Sequence, residues 1–116
     1  MLSTSDVLDR HLKSFVELDL DGLLANYSPE SVVFVPTGPL KGPGAIAPLF
    51  RWLITEFGQP GATFKLQHRS VDGDHAYILW TANTPDNTYE FATDTFVVRD
   101  GKIVAQSFAA RVQPKR

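Results

Sequence analysis

A chain of 116 residues, 43% hydrophobic and 21% charged, suits one compact domain spanning 1–116 and leaves no length for a second core of ordinary size. Eleven basic against thirteen acidic side chains give a net charge of −2 with the basic ones scattered, which argues against nucleic acid as a partner. The absence of cysteine excludes disulfides, thiolate metal sites and cysteine nucleophiles together.

The opening MLSTSDVLDR lacks the basic start and apolar stretch of a secretory signal, and no apolar run approaches the length of a membrane span. A cytoplasmic protein with no membrane partner is therefore expected. From Ser5 to Leu18 the apolar residues Val7, Leu8, Leu12, Phe15 and Leu18 recur at three- and four-residue intervals behind a capping stretch, Ser3 to Asp6, which predicts an amphipathic helix. Asp19 can cap a second, shorter helix carrying Leu20, Leu23, Leu24 and Tyr27, with Pro29 stopping it. Val32 to Val35, β-branched and aromatic, reads as a buried strand bounded by Pro29 and Pro36. A Gly/Pro loop follows, and then Ile46, Leu49, Phe50, Leu53 and Phe57 mark a third helix that a left-handed Gly58 would end. Pro48 places the start of the regular helix only a few residues before it.

The remaining half alternates with period two between the turn signals Asp72-Gly73, Pro85-Asp86-Asn87 and Asp100-Gly101. Four strands are predicted, over about 62–71, 75–83, 88–98 and 102–112. The order α-α-β-α-β-β-β-β is an α+β arrangement with helices on one face of a mostly antiparallel sheet.

Polar residues on apolar faces carry the functional argument. A three-residue loop, Arg99-Asp100-Gly101, would pair Asp94 with Gln106 and place both on the apolar face of the last hairpin with Ala92, Phe96, Val98, Val104, Phe108, Ala110 and Val112. His11 falls on the buried stripe of the first helix, and His68 shares strand parity with Phe64 and Leu66. Together His11, Asp94 and Gln106 have the pattern of a pocket between helix and sheet. Asp94 has two readings. It either hydrogen-bonds Gln106 to pin the hairpin, or it faces a ligand as a carboxylate made unusual by burial. Trp52, Trp80, Tyr77 and Phe50 follow the apolar pattern of their elements or a strand neighbour and read as core or subunit contact. The histidines lack metal-binding spacing, no phosphate-binding glycine loop is present, and no serine sits in a nucleophile elbow. Neither metal nor cofactor is expected.

The run DLDGLLANYSPESVVFVPTGPLKGPGAI, with TDTFVVRDGKIVAQSF further on, resembles the ketosteroid isomerase and SnoaL-like polyketide cyclase group of the nuclear transport factor 2-like superfamily. The resemblance implies a cone: a curved, mixed, mostly antiparallel sheet wrapped around three N-terminal helices, enclosing an apolar cavity and forming a homodimer through its outer sheet face. Isomerases of this kind use an aspartate base at the end of the first strand, and an oxyanion hole made of a helix-one tyrosine and a penultimate-strand acid. By position the acid matches Asp94, the tyrosine falls at His11, and the base falls at or beside Val35, where nothing can take a proton from carbon. Ketosteroid isomerisation is thereby disfavoured. The polyketide-cyclase branch implies a different use of the cavity, with Asp94 as base or proton shuttle and His11 as its hydrogen-bond partner.

The resulting expectation is a lyase or isomerase acting on a hydrophobic carbonyl compound by cofactor-free acid/base chemistry. Asp94 and His11 would be catalytic, and Gln106, His68, Tyr27, Val35, Phe50, Leu79, Phe96 and Phe108 would contact the ligand. The alternative is a non-catalytic ligand-binding or dimeric interaction domain. A third reading, epoxide hydrolysis, would need Asp94 beside Arg69 or Arg111 and a second acid.

Overall fold

The computed structural model describes residues 2–115. Helix α1, Thr4–Val16, begins with a reciprocal cap: Asp6 N–H donates to Ser3 Oγ at 3.1 Å and Ser3 N–H to the Asp6 carboxylate at 3.2 Å. Its stripe of Val7, Leu8 and His11 is buried. Helix α2, Leu20–Leu24, is a little over one turn, capped by Asp19, whose Oδ1 accepts from Gly22 N–H at 2.9 Å.

The second helix is shorter than its apolar spacing suggests. Tyr27 is not on it but opens strand β1, Tyr27–Val35, and Pro29 lies within that strand rather than ending the helix. The chain turns because Asn26 O accepts from Ile103 N–H at 2.7 Å, a long-range bond that local spacing cannot anticipate. The Gly/Pro loop also contains a strand: β2, Gly38–Lys41, pairs with β1 in a hairpin turning at Pro36 and Thr37. Helix α3, Gly42–Phe57, starts with Pro43 in its first turn and buries Ile46, Ala47, Phe50 and Leu53. Its C-cap Gly58 is right-handed, with φ −81°, so it does not supply the expected left-handed stop.

Strands β3, Thr63–Asp72, β4, His75–Asn83, β5, Asn87–Arg99, and β6, Lys102–Pro114, follow as a meander. The sheet order is β2-β1-β6-β5-β4-β3, and only the β1/β6 pair is parallel. Register shifts interrupt four of its five ladders, and such bulges bend strands and increase twist. The curved, unclosed sheet wraps the helices in the α+β order that the sequence predicts and the cone that the resemblance implies, with β2 as an added sixth strand. Val7, Leu8, Ile46, Phe50 and Leu53 meet Ile78, Trp80, Ala92, Phe96 and Ile103 between the layers.

The last hairpin closes differently from expectation. Asp100 and Gly101, at φ 52° and 74°, form a two-residue turn of the kind that matches strand twist, with Arg99 opposite Lys102. A bulge at Val104 then shifts the ladder, so Ile103 rather than Val104 is buried, Asp94 opposes Phe108, and Gln106 opposes Phe96. The shorter turn and the bulge each move the partner of Asp94 one residue along β6, from Gln106 to Phe108 in total, and this even shift preserves face parity while making Asp94 and Gln106 diagonal neighbours.

Candidate functional site

Between α1, α3 and the inner sheet face lies a cavity of about 40 Å³. Its floor is buried: His11 from α1, Phe50 and Leu53 from α3, and Ile78, Trp80, Asp94 and Gln106 from the sheet. Its rim is apolar and half-buried, made by Leu12, Phe15, Phe64 and Phe108. A molecule entering therefore crosses hydrocarbon before it meets a polar group.

Asp94 is only 6% exposed. Trp80 Nε1–H donates to its Oδ2 at 2.9 Å and Gln106 Nε2–H to its Oδ1 at 2.9 Å. Tyr27 OH donates in turn to Gln106 Oε1. The direction of this chain follows from chemistry: an ionised carboxylate only accepts, so Gln106 turns its amide N–H₂ to Asp94 and its oxygen to the phenol. Burial pushes the Asp94 pKa up from 3.8 to about 6, and the Trp80 and Gln106 donors partly oppose it. At pH 7 the group is a carboxylate poised near neutrality, with lone pairs left for a further donor. Burial, reinforced by the Asp94 charge, holds the Tyr27 phenol well above its usual range, so it remains a donor.

His11 is likewise 6% exposed and sits among rings, with centroids 5.2 Å from Phe96, 5.8 Å from Phe50 and 6.2 Å from Tyr27. Its Nδ1 is buried with no hydrogen-bond partner. Desolvation lowers its pKa from 6.5 to about 4, so the imidazole is neutral at pH 7. Asp94 and His11 border the same cavity, but the carboxylate takes its hydrogen bonds from Trp80 and Gln106 and not from the histidine.

The other expected ligand contacts divide. Gln106, Phe50 and Phe108 line the cavity with Asp94 and His11. Phe96 is fully buried behind the His11 ring, and Tyr27 touches the site through Gln106. Val35 lies at the end of β1 opposite Gly38, away from the lining. Leu79 alternates with the inward Ile78 and Trp80 and so faces the outer side of the sheet. His68 is exposed, with Nε2 2.6 Å from Ser70 Oγ. A bulge at Gln67, between Leu66 opposite Trp80 and His68 opposite Leu79, breaks the parity that was to bring it inward. The arginines are also elsewhere: Arg69 pairs with Asp9 at 2.7 Å and Arg111 with Glu90 at 3.1 Å. Neither lines the cavity, so the cation required for epoxide hydrolysis is not beside Asp94.

Two features escaped the sequence reading. Trp80 follows the apolar alternation and reads from sequence as core or subunit contact, yet its indole N–H serves Asp94. Glu56, three residues after Leu53 on the buried face of α3, is a second buried carboxylate. It accepts from Thr84 Oγ1 at 2.7 Å, Asn87 Nδ2 at 2.9 Å and Tyr89 OH at 2.8 Å, which ties α3 to the β4–β5 turn. Its spacing was the available signal. Among the described residues no group of three or more His, Asp or Glu side chains is placed to hold a metal ion, and no helix is long and apolar enough to cross a membrane.

Solved structures repeat this architecture. A nuclear transport factor 2-like protein of unknown function from Mesorhizobium loti is 26% identical over 93% of this chain and 90% of its own, with a TM-score of 0.77. A candidate polyketide cyclase from Sinorhizobium meliloti is 19% identical over 90% of this chain and 94% of its own, with a TM-score of 0.69. A candidate ketosteroid isomerase from Kribbella flavida is 12% identical over 93% of this chain and 77% of its own, with a TM-score of 0.75. A search of curated proteins returns no match. The model of the SnoaL-like domain matches residues 8–106, the span that contains His11, Trp80, Asp94 and Gln106, and the chain belongs to the SnoaL-like domain family.

Proposed function

We propose that the chain binds a hydrophobic carbonyl compound in the cavity and acts on it as an isomerase or lyase by proton transfer, with Asp94 as the base. Asp94 takes the proton of a C–H bond next to the carbonyl, the electron pair passes into an enolate, and the same carboxyl returns the proton, to a different carbon in an isomerisation or, in a ring closure, to the oxygen of the second carbonyl whose carbon the enolate attacks. Neutral His11 donates an N–H to the oxygen where charge develops, a role that an imidazole fills without carrying charge itself. Gln106 and Tyr27 orient the carboxylate.

The observation that carries this reading is the state of Asp94: buried, held by two donors, bordering an otherwise apolar cavity, and with a pKa of about 6. A general base works best with a pKa near the working pH. Deuterium exchange into the central carbon of 1-phenylbutane-1,3-dione tests it. The rate is expected to rise with pH through about 6 and level above it. Asp94→Asn is expected to slow exchange roughly 100-fold or more. An Asp94→Asn rate equal to wild type would overturn the assignment.

A specific observation favours the second reading, a binding domain without turnover. By the resemblance to the isomerases the base falls at or beside Val35, where nothing can take a proton from carbon, and among the described residues no Lys or Arg lines the cavity. In that case the diketone perturbs the Trp80 indole resonance and exchanges no faster than in buffer alone. The same reading takes 1–116 as one cytoplasmic domain that dimerises through the outer sheet face, where Phe34 is 51% exposed.

A further inference from the structure

A second space adjoins the cavity. It is a groove of about 230 Å³ at the C-terminal end of α1, walled in part by Val16, Leu18, Phe57 and Thr63. Phe15 and Phe64 line both spaces, and their ring centroids stand 5.6 Å apart. The two rings are therefore the partition between an inner end that holds Asp94 and an outer end open to solvent.

Volume makes the partition matter. At about 40 Å³ the inner cavity is well below the roughly 150 Å³ that accommodates a benzene ring. The groove is several times larger. A molecule with even one ring reaches the carboxylate only if the rim of Leu12, Phe15, Phe64 and Phe108 gives way, and movement of Phe15 or Phe64, the two that border both spaces, joins them. Both side chains are half-buried, Phe15 packing on Phe57 with centroids 5.3 Å apart and Phe64 on Trp80 at 5.2 Å.

The lip of the groove is also apolar. Val16 is 66% exposed and Leu18 39%. Leu18 lies just past the end of α1 with φ 58°, a left-handed position that glycine fills without steric cost. Single exposed apolar residues need no explanation. These two continue the walls of an opening whose far end is a buried carboxylate.

We infer that cavity and groove are the two ends of one elongated site, with the Phe15 and Phe64 rings as its movable partition. The molecule it takes is an amphiphile: an enolisable carbonyl or acidic hydroxyl head at Asp94 and an apolar tail of several carbons in the groove. The inference rests on the reading of Asp94 as a ligand-facing group.

A series of 4-alkylphenols, from phenol to 4-heptylphenol, titrated into the ¹⁵N-labelled full chain tests it. Every member is expected to move the Trp80 indole N–H resonance, and Kd is expected to tighten roughly 3- to 4-fold per methylene until the groove is full. Thr63→Trp places an aromatic residue that strands accept at an exposed position and fills the groove. It should cut the gain per methylene below twofold and leave the Kd of phenol unchanged. Leu18→Gly, which relieves the left-handed backbone, should weaken the long phenols while preserving the fold. If phenol moves the Trp80 resonance but chain length has no effect, the elongated site is overturned and the reading of Asp94 stands. If no phenol moves it, both fall. If Thr63→Trp instead changes the sedimenting mass, the groove is an interface between copies and the inference is overturned.

Discussion

The Trp80 indole N–H meets Asp94 Oδ2 at 2.9 Å across the β4–β5 ladder, a diagonal contact, since Trp80 opposes Ala92 and Asp94 opposes Ile78. The bond favours the charged carboxylate and so works against the desolvation that raises its pKa. Trp80→Phe keeps the ring and removes the donor. The Asp94 pKa should then climb above about 6, as read from its carboxyl ¹³C shift. The substitution should cost about 1–3 kcal/mol at pH 8 and less at pH 4, where Asp94 is protonated. A pKa that stays put or falls would show that the indole does not act on the charge.

Asp94 and His11 should impose opposite pH dependences on stability. The Asp94 pKa is about 6 folded against 3.8 unfolded, so between these values the folded state holds the extra proton and stability declines as pH rises. The His11 pKa is about 4 folded against 6.5 unfolded, so there the unfolded state holds the extra proton and stability increases as pH rises. Each effect amounts to about 3 kcal/mol, and the windows overlap, so the two nearly cancel between pH 4 and 6. Urea unfolding should give a flat wild-type profile in that range, a falling one for His11→Phe and a rising one for Asp94→Asn. Flat profiles in both variants would mean that the two groups titrate as if in water.

Glu56 joins α3 to the β4–β5 turn through three donors, Thr84, Asn87 and Tyr89. Burial is the main influence raising the Tyr89 phenol pKa, with its hydrogen bond to Glu56 and the carboxylate charge adding to it, so Tyr89 remains a donor. Glu56→Ala strands these donors in a water-poor site and should cost about 3–5 kcal/mol. Glu56→Gln keeps the shape but turns an N–H₂ toward one of them and should cost about 1–3 kcal/mol. Thermal unfolding measures both, and equal Tm values for wild type and Glu56→Ala would refute the bracing role.

The sequence by itself determined the helix stripe that buries His11 and the strand parity that turns Asp94 and Gln106 to one face. Repeats of 3.6 and 2 residues are local properties, and the register of the last hairpin differs from the expected one by an even two residues, which leaves the facing of Asp94 and Gln106 unchanged. Tertiary structure alone decided that the Trp80 indole joins Gln106 as a donor to Asp94, that Tyr27 leaves its helix to stand under Gln106, and that His68 turns outward. Each depends on a partner distant in the chain: the Trp80 diagonal, the Ile103 bond to Asn26, and the bulges at Gln67 and Val104 that set where neighbouring strands fall into step. A bulge adds one residue and reverses the facing of those beyond it, and its position follows from the curvature the whole sheet must adopt around its helices.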